Sequence, residues 1–223
     1  SHITSMTAMK FPVKEVIQFA KENNILSIID GAHVPGHIPL DISALDPDIY
    51  TGACHKWMCT PKGISFLYVR KDLQENIHPL VVSWGWESDN PGPSQFLDWH
   101  EWQGTRDMSA FLTVPAAVKF MDDNDWPNVS RKCREMVIQT RNQLLNYLNI
   151  SPPCPDDWLG QMASIPLPFN DAVEIKNVLL NKYHIQVPIF TWEGKVYLRY
   201  SIQAYNSESD LEKLLSAIKE LLG

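Results

Sequence analysis

The 223-residue chain is 44% hydrophobic and 20% charged, which suits one substantial core or two smaller ones and excludes a disordered chain. A formal net charge of −7, with no run of lysines or arginines, offers no field for a phosphate backbone, so a small metabolite is expected and nucleic acid is not. Cys54, Cys59, Cys133 and Cys154 have neither CxxC spacing nor disulfide-scaffold density, and no segment has the length and apolarity of a membrane span or the pattern of a signal peptide; a cytoplasmic protein is expected.

In chain order, Val13, Val16, Ile17 and Ala20 predict a helix between Phe11 and Asn24. A buried strand over Ile25 to Ile29 follows and delivers Asp30 at its end. A second strand near Asp48 to Gly52 delivers His55 and Lys56, and a third, Ile64 to Val69, follows the Pro61-Lys62-Gly63 turn. From Leu73 to Arg106 prolines and tryptophans break every period, so the reading there is a long functional loop with no regular element. Ser109 is placed as the cap of a helix to about Asn124. Val129 to Leu148 has helical spacing, with Arg131, Lys132, Arg134 and Arg141 on the outer faces. The last third alternates strands (Met162 to Leu167, Ile185 to Ile189, Lys195 to Ser201) with helices (Asp171 to Lys182, Ser207 to Leu222). The class is therefore α/β, followed by a small α+β unit, with a boundary expected between residues 122 and 123.

Lys56 and Asp30 are the residues that carry chemistry. An amine after one strand and a carboxylate at the end of another are what pyridoxal 5'-phosphate chemistry needs: one holds the aldehyde as a Schiff base, the other keeps the pyridine nitrogen protonated. Taken alone, Asp30 is as readily a turn cap and Lys56 a surface lysine. Their company decides between the readings: Asp30-Gly31-Ala32-His33, His55-Lys56-Trp57 with Pro61-Lys62-Gly63, Trp102-Gln103-Gly104-Thr105-Arg106-Asp107, and Arg199-Tyr200-Ser201 through Tyr205-Asn206.

These motifs resemble the class V aminotransferase group of fold-type I pyridoxal phosphate enzymes, nearest to isopenicillin N epimerase-like proteins and more distantly similar to cysteine desulfurases. The resemblance implies the C-terminal part of a mainly parallel-sheet large domain, plus the small α+β domain. It implies that Lys56 forms the Schiff base and then moves the substrate Cα proton, and that Asp30 pairs with the pyridine nitrogen. His33 and Ser5 fall where the family contacts the cofactor's phenolic oxygen, and His55 where it binds phosphate. Ala53 stands where a phosphate-binding serine is usual, so either Thr51 substitutes or one contact is missing. Thr105 matches a residue that reaches the other subunit's phosphate, which implies a homodimer with shared sites. Arg199 matches the clamp for an amino-acid carboxylate. The insert tryptophans Trp84, Trp86, Trp99 and Trp102 suit either a substrate mouth or packing.

No cysteine lies between His184 and Arg199, where a desulfurase carries its persulfide-forming residue. Chemistry at Cα of an amino acid or aminoacyl group, as in the epimerase-like proteins, is therefore expected, with desulfurase or aminotransferase activity as an alternative. Family members carry a long segment before the position matched by Ser1. The resemblance therefore implies a fragment, a split-gene product completed by an N-terminal chain, or a silent truncated homologue acting as a dimerisation module.

Overall fold

The computed structural model describes residues 1–223. The first helix, α1 (Val13–Glu22), begins just after Pro12, whose fixed φ suits a helix start, and Glu15 and Lys21 complement its dipole at the two ends. Val13, Ile17 and Ala20 face inward, while Val16 is exposed.

Three short strands follow: β1 (Ile28–Asp30), β2 (Ile49–Ala53) and β3 (Ser65–Val69), in sheet order β1-β2-β3. The β1–β2 pair is parallel and the β2–β3 pair antiparallel, so the loop between Ala53 and Ser65 reverses the chain and carries Lys56. Asp48 locks the entry to β2: its carboxylate accepts from Ser27 N (2.7 Å) and Ser27 Oγ (2.9 Å) and pairs with Arg70. The expected buried strand over Ile25 to Ile29 needs correction. Among its apolar residues only Ile29 is buried; Ile25, Leu26 and Ile28 are 56%, 60% and 70% exposed, with β1 at the end of the three strands this chain contributes.

A four-residue helix, α2 (Ile42–Leu45), is capped by Asp41, which accepts from Ala44 N. Between β3 and the next long helix, the expected structureless stretch contains a 3-10 turn (Lys71–Asn76) and a helix, α3 (Gln95–Glu101). Ser94 caps α3 by accepting from Leu97 N, and the ring of Trp86 packs on Trp99 with centroids 4.3 Å apart. These tryptophans therefore pack on one another, with His78 beside them.

Helix α4 (Val114–Asp123) starts from a 3-10 turn at Phe111–Thr113 with Pro115 in its first turn. Ser109 does not cap it; the Ser109 N–H donates to Asp107 instead. Helix α5 (Trp126–Leu148) begins earlier than its apolar period indicates, with Pro127 in its first turn. Arg131 is exposed as expected, but Arg141 is buried, 2% exposed, because residues 154–156 fold over it. Its guanidinium donates to Cys154 O (2.9 Å) and pairs with Asp156.

The second sheet comprises β4 (Met162–Leu167), β5 (Ile189–Trp192) and β6 (Lys195–Ser201), all antiparallel, in order β4-β6-β5. The β5 strand lies four residues later than expected. Glu193 and Gly194, both with positive φ, make a two-residue hairpin that fixes the register Trp192↔Lys195, and this ties the strand to its C-terminal end. Helices α6 (Ala172–Asn181) and α7 (Glu208–Leu222) are capped by Asp171 and by a Ser207–Asp210 capping box. With α5 they close a cluster of 22 buried apolar residues around this sheet. No helix is long and apolar enough to cross a membrane.

Candidate active site

Asp30 ends β1, and the chain then turns through Gly31. A Cβ there would lie 2.1 Å from the Tyr50 hydroxyl, so only glycine lets the turn sit on the sheet. The Asp30 carboxylate accepts from Ala32 N (2.9 Å) and Ser1 Oγ (3.2 Å). The Ala32 N–H, ahead of the Ser1 hydroxyl and nearby positive charge including Lys56, holds this carboxyl below the usual range.

One turn on, His33 faces the Lys56 loop from across the site. Its Nε2 lies 3.2 Å from Lys56 Nζ, and its Nδ1 accepts from the Trp57 indole N–H at 3.3 Å. Burial, then the charges of Lys56 and Arg199, push its pKa down to about 4, against an opposing pull from Asp30. Those same electrostatic effects place Asp30, His33, Lys56 and Arg199 within one field.

Arg199 comes from β6 and reaches the N-terminal segment: Nη1 donates to Ser5 O (2.7 Å) and Ser5 Oγ (2.9 Å). Its Nε is buried without a partner, and burial lowers the guanidinium's pKa. An unpartnered buried donor is costly, and a guanidinium that lines a cavity suits a carboxylate there. Ser5 thus supports Arg199 directly, a contact that sequence spacing did not reveal.

Ser5, His33, Lys56, Trp57, Met162, Arg199, Ser201, Gln203 and Tyr205 line one cavity of about 390 Å³, within the range of small-molecule pockets. Asp30 and His55 border the cluster without lining it. His55 Nδ1 lies 2.9 Å from Ile64 O and so donates to it; the ring therefore offers an N–H to a phosphate only as an imidazolium, through Nε2. Thr51 does not stand in for the missing serine as a donor, because its hydroxyl donates to Phe66 O at 3.1 Å. Thr105 is exposed on the loop between α3 and α4 and lies outside the cavity.

Gln203, Trp57 and His37 were not among the residues that sequence reasoning selected. Gln203 Nε2 donates to Trp57 O (3.0 Å), fixing the lysine loop from the second sheet. His37 stacks on Trp57 with ring centroids 4.0 Å apart. Trp57 carried a signal in its position next to the lysine; His37 and Gln203 carried none.

The donor set is coherent for a phosphorylated pyridine aldehyde: an amine and a guanidinium that line one cavity, a histidine beside the amine, and a carboxylate below its usual pKa bordering the cluster. The comparisons point the same way. An isopenicillin N epimerase from Amycolatopsis lactamdurans is 32% identical over 99% of this chain and 58% of its own length. A probable chloroplastic L-cysteine desulfhydrase from Arabidopsis thaliana is 27% identical over 99% of this chain and 50% of its own. Among solved structures, the apo cysteine desulfurase of Thermococcus onnurineus NA1 superposes with a TM-score of 0.82 at 19% identity, covering 99% of this chain and 58% of that one. The chain therefore spans between half and three fifths of these relatives. The model of the class-V aminotransferases matches residues 1–214, and the chain belongs to that pyridoxal phosphate-dependent family.

Proposed function

We propose that this chain is the lysine-bearing part of a pyridoxal phosphate enzyme that acts at Cα of an amino acid or aminoacyl substrate, in the manner of the isopenicillin N epimerases it resembles. The observation that carries the reading is the convergence of Lys56, His33 and Arg199 on one cavity. The cofactor, when bound, supplies an electron sink for a carbanion at Cα. Lys56 would hold the cofactor's aldehyde, and its amine, lining the same cavity as Arg199, would accept or return a proton at the substrate Cα. Asp30 would hold the ring nitrogen protonated, and His33 would offer its Nε2 to the phenolic oxygen. His55, whose Nδ1 is committed to Ile64 O, would face the phosphate through Nε2. Arg199, steadied by Ser5, would take the substrate carboxylate where its side chain lines the cavity.

Desulfuration is disfavoured by the positions of the cysteines: Cys154 is buried against Arg141, and none precedes Arg199 on its strand. The exposed Thr105 serves a second subunit's site in a homodimer, and the four free cysteines suit a cytoplasmic setting.

The test is borohydride trapping of pyridoxal phosphate on the purified chain, alone and mixed with a chain supplying the rest of the relatives' length. Mass spectrometry should find the adduct on Lys56, and Lys56→Ala should lose it without a change in melting temperature. A folded protein that traps nothing on Lys56 in either mixture overturns the enzyme reading and leaves a silent homologue.

A further inference from the structure

Hydrogen bonds around Trp57 define which nitrogen of His33 carries the proton. The indole N–H has no acceptor capacity, so Nδ1 of His33, 3.3 Å away, must present a lone pair. A neutral imidazole then has its single proton on Nε2, the nitrogen facing Lys56 Nζ at 3.2 Å. An N–H pointed at an amine is a contact that a free amine accepts and that an ammonium, lacking a lone pair, does not.

The indole is itself held in place from both sides. Trp57 is 7% exposed, its carbonyl is bonded by Gln203, and its ring is stacked on His37 at an interplanar angle of 27°. His37 has a fixed tautomer for the same reason: the backbone N–H of Gln161 donates to its Nε2, so its Nδ1–H donates to His33 O at 2.8 Å. The series thus runs from the strand-entry residue Gln161 through His37 and Trp57 to His33 and Lys56, with every donor matched to an acceptor. Gly36 permits it, since a Cβ there would press on the backbone of Trp57 at 2.8 Å, at a φ of +80°.

We infer that Trp57 is a positioning residue that sets His33 in its Nε2–H tautomer, so that this histidine presents a donor to the amine of Lys56. A Nδ1–H ring would turn a bare acceptor toward the lysine and favour the ammonium, which is no nucleophile. The inference rests on reading Lys56 as the reactive amine, but its first measurement does not depend on cofactor or activity.

That measurement is long-range ¹H–¹⁵N spectroscopy of the full chain labelled at histidine and tryptophan, with His33 assigned by its loss in His33→Gln. At pH 7 the wild type should show Nε2 protonated, Nδ1 bare, and a correlation across the hydrogen bond from the Trp57 indole. Trp57→Phe keeps an aromatic ring that can stack on His37 and removes the N–H together with the five-membered ring, so a Nδ1–H population should appear. Competitive acetylation of Lys56 should slow about fivefold in Trp57→Phe, the ratio that one net hydrogen bond of ordinary strength supplies. In a His33→Gln background the same change should have no effect, because an amide donates through its NH2 without choosing a tautomer. A wild-type ring protonated on Nδ1, an unmoved Nδ1 resonance in Trp57→Phe, or equal slowing in both backgrounds overturns the assignment. If Trp57→Phe does not fold, the wild-type spectrum alone decides. Loss of the trapped adduct at Lys56 with these tautomers intact would instead remove the enzyme reading and leave the positioning in place.

Discussion

The two sheets differ in what they bury and in what they present. Around β4-β6-β5, 22 buried apolar residues form one cluster, whereas the β1-β2-β3 region has clusters of five and four, the former including Met162 of β4. Yet Asp30, His33, His55 and Lys56 all belong to the weaker region, and only Arg199 comes from the stronger. The site's rigidity is borrowed. Gln203 fixes the lysine loop, Gln161 fixes His37, and Arg199 grips Ser5, so each contact runs from β6 or a residue flanking β4 or β6 to a loop of the first region. In this chain the site residues sit on the region with the smaller clusters and are tied to the larger one by polar contacts and by Met162.

The largest effect that sharpens this contrast is in the central strand. Leu198 is 0% exposed, and Leu198→Ala should cost about 2 to 5 kcal/mol in urea unfolding through lost burial and a residual cavity. Phe19, 64% exposed on α1, should change stability by less than about 0.5 kcal/mol when replaced by Ala. Equal costs would mean that the exposed apolar residues of the first region are buried in solution, and the contrast would fail.

Cutting a tie should come next. Gln203→Ala leaves Trp57 O without its donor and should cost about 1 to 3 kcal/mol. Hydrogen exchange should quicken at residues 56–60 while β4 and β6 keep their protection. Uniform loss of protection would show that Gln203 serves the second core and not the lysine loop.

The acid response examines the second tie. Burial pushes His37 down to about 3 from an ordinary value near 6.5, despite an opposing hydrogen bond to His33 O. The unfolded chain therefore binds the proton that the folded one refuses, so stability is present above about pH 6.5 and is lost as pH falls toward 3. The slope from this residue is about 1.4 kcal/mol per pH unit. His37→Phe should destabilise at pH 7 and flatten that slope between pH 6 and 4; an unchanged slope would place the acid sensitivity in other groups, such as His2, which burial holds at about 4.

Much of this was legible in the sequence, and the exceptions have physical causes. Long amphipathic helices such as α5 and α7, and the alternating burial of Val196, Leu198 and Tyr200 in β6, declare themselves because one face of each packs on the core. Helix α3 was hidden because it is seven residues long and set among tryptophans, which break the apolar period. Arg141 was taken for a surface charge because helical spacing does not tell which outer face a later segment will cover. In the site, Lys56, His33 and Arg199 were readable from their motifs. The ties from Gln161 to His37 and from Gln203 to Trp57 were not, since they join residues 124 and 146 positions apart and follow no spacing rule.

The smallest expected effect asks whether the two regions unfold together. Asp171 and Asp41 are both helix N-caps; Asp171 accepts from Val173 N (2.8 Å) and Glu174 N (3.0 Å), and Asp41 from Ala44 N (2.9 Å). Either Asp→Ala change removes about 1 kcal/mol of local capping free energy. Asp171 starts a ten-residue helix packed on the large cluster through Ala172, Ile175 and Leu179, so its loss should appear in full in the global urea midpoint. Asp41 starts a four-residue helix with no buried residue, so its loss should appear as faster exchange near Ala44 and Leu45 with little movement of that midpoint. Matching midpoint shifts would make the whole chain one cooperative unit. The polar ties would then be strong enough to couple the regions completely, and the weaker sheet would share the stability of the stronger.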